Sequence, residues 1–253
     1  MIHFAAKVAA TSFLSKKEEN KEVKLIIILS LIMEKIWNGI KGSTRITVRI
    51  IAETVHRLVI NIFDTLFGFL NLPEKKLRIK IFILQDPQAI PGISPADLDA
   101  AIEYAKRSFK KNFNTRLLPY KTGEHFAEVL QKKVPYEVLY TKGSIGALGE
   151  EFTVAGSFFA SNLSGSFYPV TAFVVLDIKD ATGCSLGPLT DYVTLDPDGA
   201  KNASTLAHEI AHACGLWHLG SKSNLLWRTF SRGDEVKWWQ KNIFRSSRHV
   251  TYW

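Results

Sequence analysis

The chain has 253 residues, of which 46% are hydrophobic and 22% are charged, and this composition is typical of a folded protein and not of a disordered chain. Its length allows one large domain, or a domain of about 180 residues with an appendage. The formal net charge of +8 favours contact with anionic surfaces, but the basic residues are dispersed without an aromatic-interleaved stripe, so we predict no nucleic-acid partner.

The N-terminal region begins with a segment that ends in a charge cluster, residues 16–22, and predicts a frayed or helical surface segment. Residues 23–33 then form a dense apolar run, which is too short for a transmembrane helix of about twenty residues. A signal-peptide or anchor role is the alternative, but a long region of mixed charge precedes the run and no small-residue cleavage site is evident. A buried or interfacial helix is the favoured interpretation.

A second apolar element spans residues 44–72. Its apolar residues recur every three or four positions and predict one face of a helix: Val48, Ile51, Val55, Leu58, Ile62, Leu66 and Phe69. Four charged residues fall largely off this stripe: Arg49, Glu53, Arg57 and Asp64. Further apolar residues widen the stripe beyond a coiled-coil seam, so the helix should bury it within the same chain, against a partner helix or on a membrane surface. Packing within the chain is favoured, and docking of residues 23–72 on a membrane is the alternative. Pro73 ends the helix and opens a short linker.

The pattern changes to period two at Leu77 and predicts a β-strand over residues 77–84. A loop follows over residues 87–93. Ser94 and Pro95 are typical N-cap and first-turn residues, and the helix that they open is expected to end near Phe113.

Four further strands are predicted after this helix. They cover residues 136–140, 152–154, 171–178 and 191–195. The turn at residues 196–199 then leads into the next helix, and its two aspartates are interpreted as turn residues and not as a calcium site.

Residues 206–218 carry the main chemical signal. His208 and His212 are four positions apart, so they project from one face of a helix, which is a common start to a zinc site. Gly215 is where this helix would end, because a residue without a Cβ accepts the left-handed conformation, and the chain reversal could bring His218 back as a third ligand. Three protein ligands leave a position open for water, as a catalytic zinc site requires. The alternative is a core helix whose histidines are merely hydrogen-bonded.

This arrangement, H-E-x-x-H-x-x-G-x-x-H, resembles the zinc-binding motif of the metzincin metallopeptidases. The resemblance implies that His208, His212 and His218 bind Zn2+, and that Glu209 is the general base that takes a proton from the zinc-activated water. Gly215 matches the turn glycine of the motif.

The resemblance also implies an α+β fold, in which a twisted mixed β-sheet packs on the zinc-binding active-site helix. It covers residues 76–253 and leaves residues 1–75 as an N-terminal helical extension, which is interpreted as a propeptide, an anchor or an integral part of the fold. In metzincins an edge strand of the sheet binds the polypeptide substrate by main-chain pairing. The sequence does not identify that strand.

The segment after the third histidine departs from the family pattern. Leu226 stands where metzincins carry a methionine beneath the zinc site, and leucine can still supply an apolar floor. The final segment, residues 234–248, predicts a helix that is similar to the C-terminal helix of the family.

The only two cysteines are Cys184 and Cys214. Cys214 lies about 200° round the helix from His212, so it should face away from the zinc. A disulfide between the two cysteines would indicate an oxidising compartment, and the alternative is two thiols with Cys214 in the core. Two cysteines do not decide the compartment, and a secreted or membrane-associated location is favoured.

The sequence therefore predicts a zinc-dependent endopeptidase that acts on polypeptides. Two other classes of function stay open. One is a non-catalytic zinc-binding module, and the other is a membrane-docked interaction protein whose function resides in residues 23–72.

Overall fold

The computed structural model describes residues 21–67, 73–85, 93–130, 132–165 and 169–252. The surface segment that was predicted before residue 21 and most of the loop at residues 87–93 lie outside these ranges. The described strands are β1 (Lys75–Ile83), β2 (Thr115–Pro119), β3 (Ala127–Val129), β4 (Tyr140–Lys142), β5 (Val170–Val174), β6 (Asp177–Lys179), β7 (Gly183–Ser185), β8 (Tyr192–Leu195) and β9 (Val250–Thr251). The described α-helices are α1 (Lys21–Phe67), α2 (Asp99–Phe113), α3 (Tyr136–Leu139), α4 (Ser144–Glu150), α5 (Val154–Ser161), α6 (Pro197–Lys201), α7 (Thr205–Ala213) and α8 (Trp238–Arg245).

A seven-stranded sheet forms the centre of the fold, with β2, β1, β5, β8 and β7 side by side in that order and with β3 and β9 also paired to β1. Strand β1 runs parallel to β2, β3 and β5, and β5 runs parallel to β8. The antiparallel pairs are β7 with β8 and β9 with β1. The sheet is therefore mixed, as predicted, and mostly parallel. Strands β4 and β6 form a separate parallel pair.

Apolar residues cover both faces of this sheet. Ala172 and Val174 of β5 belong to a core cluster with α2, α7 and α8, while Phe173 between them belongs to a second cluster with α3 and α5. This division follows from the period of two in a strand, which points successive side chains to opposite faces. In the first cluster the rings of Phe113 and Phe244 stack with centroids 3.9 Å apart, which fixes α8 against α2.

The predictions for β1, α2 and β8 are confirmed, with small changes at their ends. Lys75 is already part of β1 instead of a linker, and its buried ammonium donates a hydrogen bond to the carbonyl of Arg245 at 2.6 Å. A 3-10 turn at Pro95–Leu98 precedes α2, and Asp97 accepts hydrogen bonds from the backbone N–H and the hydroxyl of Ser94. Ser94 is thus the N-cap residue, as predicted, and Asp97 completes a capping box with it.

Two predicted strands are wrong. Of residues 136–140, the first four form α3 and only Tyr140 enters a strand, β4. At residues 152–154 the hydroxyl of Thr153 accepts a hydrogen bond from the N–H of Ala155 at 3.2 Å. This bond caps α5, so the β-branched and aromatic residues that suggested a strand lie at a helix start.

The predicted strand at residues 171–178 is two strands, β5 and β6. They separate at Leu176, whose N–H donates to the carbonyl of Leu139 at 2.9 Å. The turn at residues 196–199 opens the short helix α6, because the Asp196 carboxylate accepts a hydrogen bond from the N–H of Gly199 at 2.7 Å. The C-terminal helix α8 is shorter than the predicted residues 234–248.

The apolar element predicted at residues 23–33 and the one predicted at 44–72, as far as Phe67, are parts of one 47-residue helix, α1, and residues 68–72 lie outside the described ranges. Among the described helices, none combines the length and the apolar character that crossing a bilayer requires. The apolar stripe faces away from the rest of the protein, so its expected packing within the same chain is wrong: Val48, Ile51, Val55, Leu58 and Ile62 are 45% to 63% exposed. The side chains of Leu66 and Phe69 lie outside those that the structure describes.

The opposite side of α1 faces the domain through charged residues. Arg49 donates to Asp191 at 2.8 Å and to Glu151 at 2.9 Å, and Arg248 donates to Glu53 at 2.9 Å and also to Asp191. All five side chains are buried. Burial alone would raise the pKa of Asp191, but the positive charges of His249, Arg248 and Arg49 outweigh it and the pKa is lowered. The carboxylate therefore stays charged at neutral pH within a buried ion-pair network. The predicted domain division at residue 75 stays a prediction.

Candidate metal centre

Helix α7 fixes the first two candidate ligands. Leu206, Ile210 and Ala213 are fully buried in the core, where the helix packs against β7 and β8. The other side of the helix presents His208 and His212 to an open cleft. The amphipathic spacing of α7 therefore sets the position of both imidazoles.

The turn after α7 returns the chain to the same cleft. Gly215 has a φ of +92°, a left-handed conformation that a residue without a Cβ adopts without strain. Its N–H donates to the carbonyl of His212 at 2.7 Å, and the next N–H, of Leu216, donates to the carbonyl of Ala211 at 3.0 Å. These bonds close the helix and direct His218 back towards His208, as the sequence predicted.

The three imidazoles meet through their Nε2 atoms. The Nε2 atoms of His208 and His212 are 3.0 Å apart, and the Nε2 atom of His218 is 3.2 Å from each of them. Three nitrogens bound to zinc at about 2.0–2.1 Å with tetrahedral angles lie about 3.3 Å from one another. The spacing of the cluster thus fits a zinc ion.

Backbone carbonyls fix the orientation of two of the rings. The Nδ1 atom of His208 lies 2.8 Å from the carbonyl oxygen of Leu225, and the Nδ1 atom of His212 lies 2.7 Å from that of Leu216. A carbonyl only accepts, so Nδ1 carries the proton and Nε2 of the neutral ring carries a lone pair. Burial lowers the pKa of His208 to about 2 and that of His212 to about 4, so both rings are neutral at pH 7. Two lone pairs facing each other at 3.0 Å repel unless a cation lies between them.

Glu209 lies beside the cluster and is 6% exposed. Burial raises the pKa of its carboxyl to about 8, and the positive charge of Arg232 opposes this effect. Gly183 of β7 lies directly against it, since a Cβ at Gly183 would come within 2.7 Å of the Oε1 atom of Glu209. The side chain of Glu209 is therefore held between α7 and the antiparallel edge strand β7.

The cleft around these residues has a volume of about 1030 Å³. One wall is formed by residues 180–189, which include β7, and the other by residues 228–232 and the turn at 215–218. The three-histidine cluster lies between the two walls. An edge strand and the candidate ligands therefore face the same open space.

Arg57 of α1 supports the turn that carries the third histidine. It donates to the carbonyl of Cys214 at 2.9 Å, to the carbonyl of Ile243 at 2.6 Å and to the hydroxyl of Ser246 at 2.7 Å. The guanidinium thereby places a positive charge at the C-terminus of α7, where the helix dipole favours a cation. Sequence reasoning missed this contact, because nothing in the pattern of α1 indicates which of its charged residues reaches α7.

Leu226 and the two cysteines lie outside the cluster itself. Leu226 is fully buried, next to the residue whose carbonyl orients His208, which suits an apolar floor. No disulfide links Cys184 to Cys214, and both thiols are buried. Cys214 packs in the core, as the alternative interpretation of the sequence expected.

Comparison with known proteins gives a distant structural likeness. No family model and no curated protein matches the chain. Among solved structures, the chain is similar to the crystal structure of metalloproteinase-II from Bacteroides fragilis, with 11% sequence identity and a TM-score of 0.49 over 69% of this chain. The match covers 53% of that protein, so the chain spans about half its length.

Proposed function

We propose that this protein is a zinc-dependent endopeptidase in which His208, His212 and His218 hold the metal. The observation that carries the proposal is the convergence of three imidazole nitrogens within 3.2 Å, two of them held in the tautomer that presents a lone pair. Hydrogen bonding alone does not account for this arrangement, because the Nδ1 atoms of His208 and His212 already donate to carbonyls while their Nε2 lone pairs face each other. A bound cation removes that repulsion.

The same geometry supports peptide hydrolysis with Glu209 as the general base. Zinc supplies Lewis acidity to the scissile carbonyl and to the attacking water. Glu209 takes the proton of the water and passes it to the leaving amine from its buried position beside the three histidines. Strand β7 is at the edge of the sheet and lines the cleft, and we propose that it pairs with the substrate main chain.

Metal content tests the proposal directly. We expect about one zinc per wild-type chain by elemental analysis, and a clear loss of zinc in His218→Ala, because two ligands from one helix hold zinc far more weakly than three. His125→Ala is the matched control, since His125 is exposed and lies outside the cleft lining. If the folded wild-type protein contains no zinc after purification in its presence, the proposed metal centre is wrong.

We also propose that the outer face of α1 docks on an anionic lipid bilayer. We define the outer face as a row of exposed and uncharged residues along α1: Met33, Trp37, Ile40, Thr44, Val48, Ile51, Val55, Leu58 and Ile62. They follow one another at an average step of about 3.6 residues, which is the period of a straight helix, so the outer face is straight over about 44 Å. A long coiled coil requires a step of 3.5 residues instead.

Charge and aromatic placement favour a bilayer as the occupant. Lys35 and Lys41 are exposed on α1, and the whole chain carries a net charge of +8. Trp37 lies on the outer face with the Lys41 ammonium 5.1 Å from its ring centroid, and a tryptophan beside a cation is typical of the membrane–water interface. A flat apolar face with Lys41 at its edge, on a chain of net positive charge, fits an anionic lipid surface.

Flotation with phosphatidylserine-containing vesicles tests the docking. We expect the full chain to float and the double variant Ile51→Glu, Leu58→Glu to lose about tenfold in floated fraction, because two charges would enter the apolar layer. Tyr136→Glu places a charge on an exposed aromatic residue outside α1 and should float like the wild type. If the wild type stays with the soluble fraction, or forms a dimer in solution that the double variant abolishes, the lipid assignment is wrong.

A further inference from the structure

We infer that Arg232 forms a carboxylate-binding subsite in the cleft, beside the three-histidine cluster, and that the preferred substrates carry a carboxylate close to the scissile bond. The inference rests on the proposed peptidase function, because it assigns the substrate class of that same cleft. It goes beyond that function, since neither the zinc ligands nor Glu209 select for charge.

The position of the Arg232 side chain carries the argument. Its Nε atom donates to the carbonyl of Thr229 at 3.0 Å, which fixes the guanidinium in the wall of the cleft. Its Nη1 atom is buried and meets no acceptor among the described residues. A buried guanidinium N–H is normally hydrogen-bonded, because leaving it without an acceptor forfeits the hydration that it had in water. Arg232 therefore brings to the wall of the cleft a hydrogen-bonding capacity that the described part of the protein does not use.

The charges around the cleft favour an anionic ligand. Arg228 and Arg232 line it together with the three histidines, whereas its lining carboxylates are Glu209 and the exposed Asp180. Glu209 makes no ion pair with Arg232 in the described part of the chain, although the two groups are close enough to influence each other's pKa. Binding of a metal cation at the histidines adds further positive charge. The lining of the cleft therefore carries an excess of positive charge.

The planar shape of the guanidinium group favours a planar anion as the ligand. Its N–H groups form a rigid fork that matches the two oxygens of a carboxylate, and such charge-assisted pairs are strong in a partly desolvated site. In a peptide, this group is an Asp or Glu side chain or the free C-terminus. The chemistry at Arg232 is the same in both cases.

Two matched peptide pairs distinguish these sources. The first pair differs by a central Asp or Asn and has amidated C-termini, and the second is neutral and differs by a free or an amidated C-terminus. Dissociation constants are measured on the full-length Glu209→Gln protein, so that no turnover is needed, and kcat/KM is measured on the wild type. We expect the carboxylate member of one pair to be favoured by at least about tenfold in both measurements.

The arginine variants assign this preference to Arg232. In Arg232→Gln the preference should collapse to about twofold or less, and Arg232→Lys should restore part of it, because lysine keeps the charge and loses the fork. Arg107→Gln removes the same charge from an exposed position on α2 outside the cleft lining and should keep the full preference. Preference in the Asp and Asn pair identifies a side-chain carboxylate, and preference in the other pair identifies the terminus.

Failure of this inference differs from failure of the proposed function. Cleavage without discrimination in either pair, or discrimination that survives Arg232→Gln, overturns the subsite and leaves the peptidase intact. Arg232-dependent preference in binding, without zinc and without cleavage of any peptide, supports the subsite and overturns the peptidase.

Discussion

Replacing Glu209 with glutamine is expected to lower kcat/KM by about a thousandfold while zinc content stays at the wild-type value. Glutamine keeps the size and shape of the side chain, which is buried against Gly183, but it cannot accept the proton of the attacking water. The loss therefore concerns the chemical step and not the metal site. Turnover of an unfolded protein substrate, followed by mass spectrometry beside elemental analysis, measures both quantities on one preparation.

The matched control for this variant is Glu137→Gln, the same chemical change at an exposed position of α3. It should keep both zinc and activity. Zinc-dependent cleavage that persists in Glu209→Gln at more than about a tenth of the wild-type rate would exclude Glu209 as the general base. Equal loss of zinc and activity would instead indicate that Glu209 supports the metal site.

Replacing Asp191 with alanine is expected to lower the free energy of unfolding by about 3–5 kcal/mol. Asp191 is the carboxylate that joins Arg49 of α1 to Arg248 near the C-terminus, and all three side chains are at most 6% exposed. Its removal leaves two guanidinium groups desolvated with only part of their counter-charge. The measurement is urea-induced unfolding followed by circular dichroism, with the slope against denaturant checked for constancy.

An exposed ion pair supplies the control for this second variant. Lys111 pairs with Asp234 at 2.9 Å, but the two side chains are 65% and 39% exposed, so Lys111→Ala should cost less than about 1 kcal/mol. Similar losses in the two variants would mean that the buried network contributes no more than a surface pair. The attachment of α1 to the domain would then have to reside in its other contacts.

The parts of the fold and the site that depend on local periodicity could be predicted from the sequence. His208 and His212 share a helix face because of their spacing, and Gly215 marks the reversal because of its missing Cβ. The strand at β1 and the helix at α2 have strong patterns of their own. The short segment at residues 136–140 carries the β-branched and aromatic residues of a strand, yet its first four residues form the helix α3, because such propensities are weak over so few residues.

The orientation of α1 could not be predicted in the same way. Its apolar stripe suggested burial, because apolar faces are usually turned inward, yet the structure turns Arg49 and Glu53 inward instead. The partners that compensate these charges, Glu151, Asp191 and Arg248, are 102 to 195 positions away in sequence. The periodicity within α1 does not predict partners so far away in sequence. The two main-chain carbonyls that orient the imidazoles could not be predicted either, because every residue has a carbonyl and the sequence does not indicate which of them contacts a histidine.

The bond from Arg57 to the carbonyl of Cys214 bears on how modular the motif is. The thirteen residues 206–218 contain all three candidate ligands, yet the turn that carries His218 is held by a side chain 157 positions earlier in the chain. If the same thirteen residues were grafted onto an unrelated helix, His208 and His212 would keep their relative positions. The turn that carries His218 would lack its hydrogen bond from Arg57. In this protein the structural unit that positions the three histidines therefore extends beyond the recognisable motif.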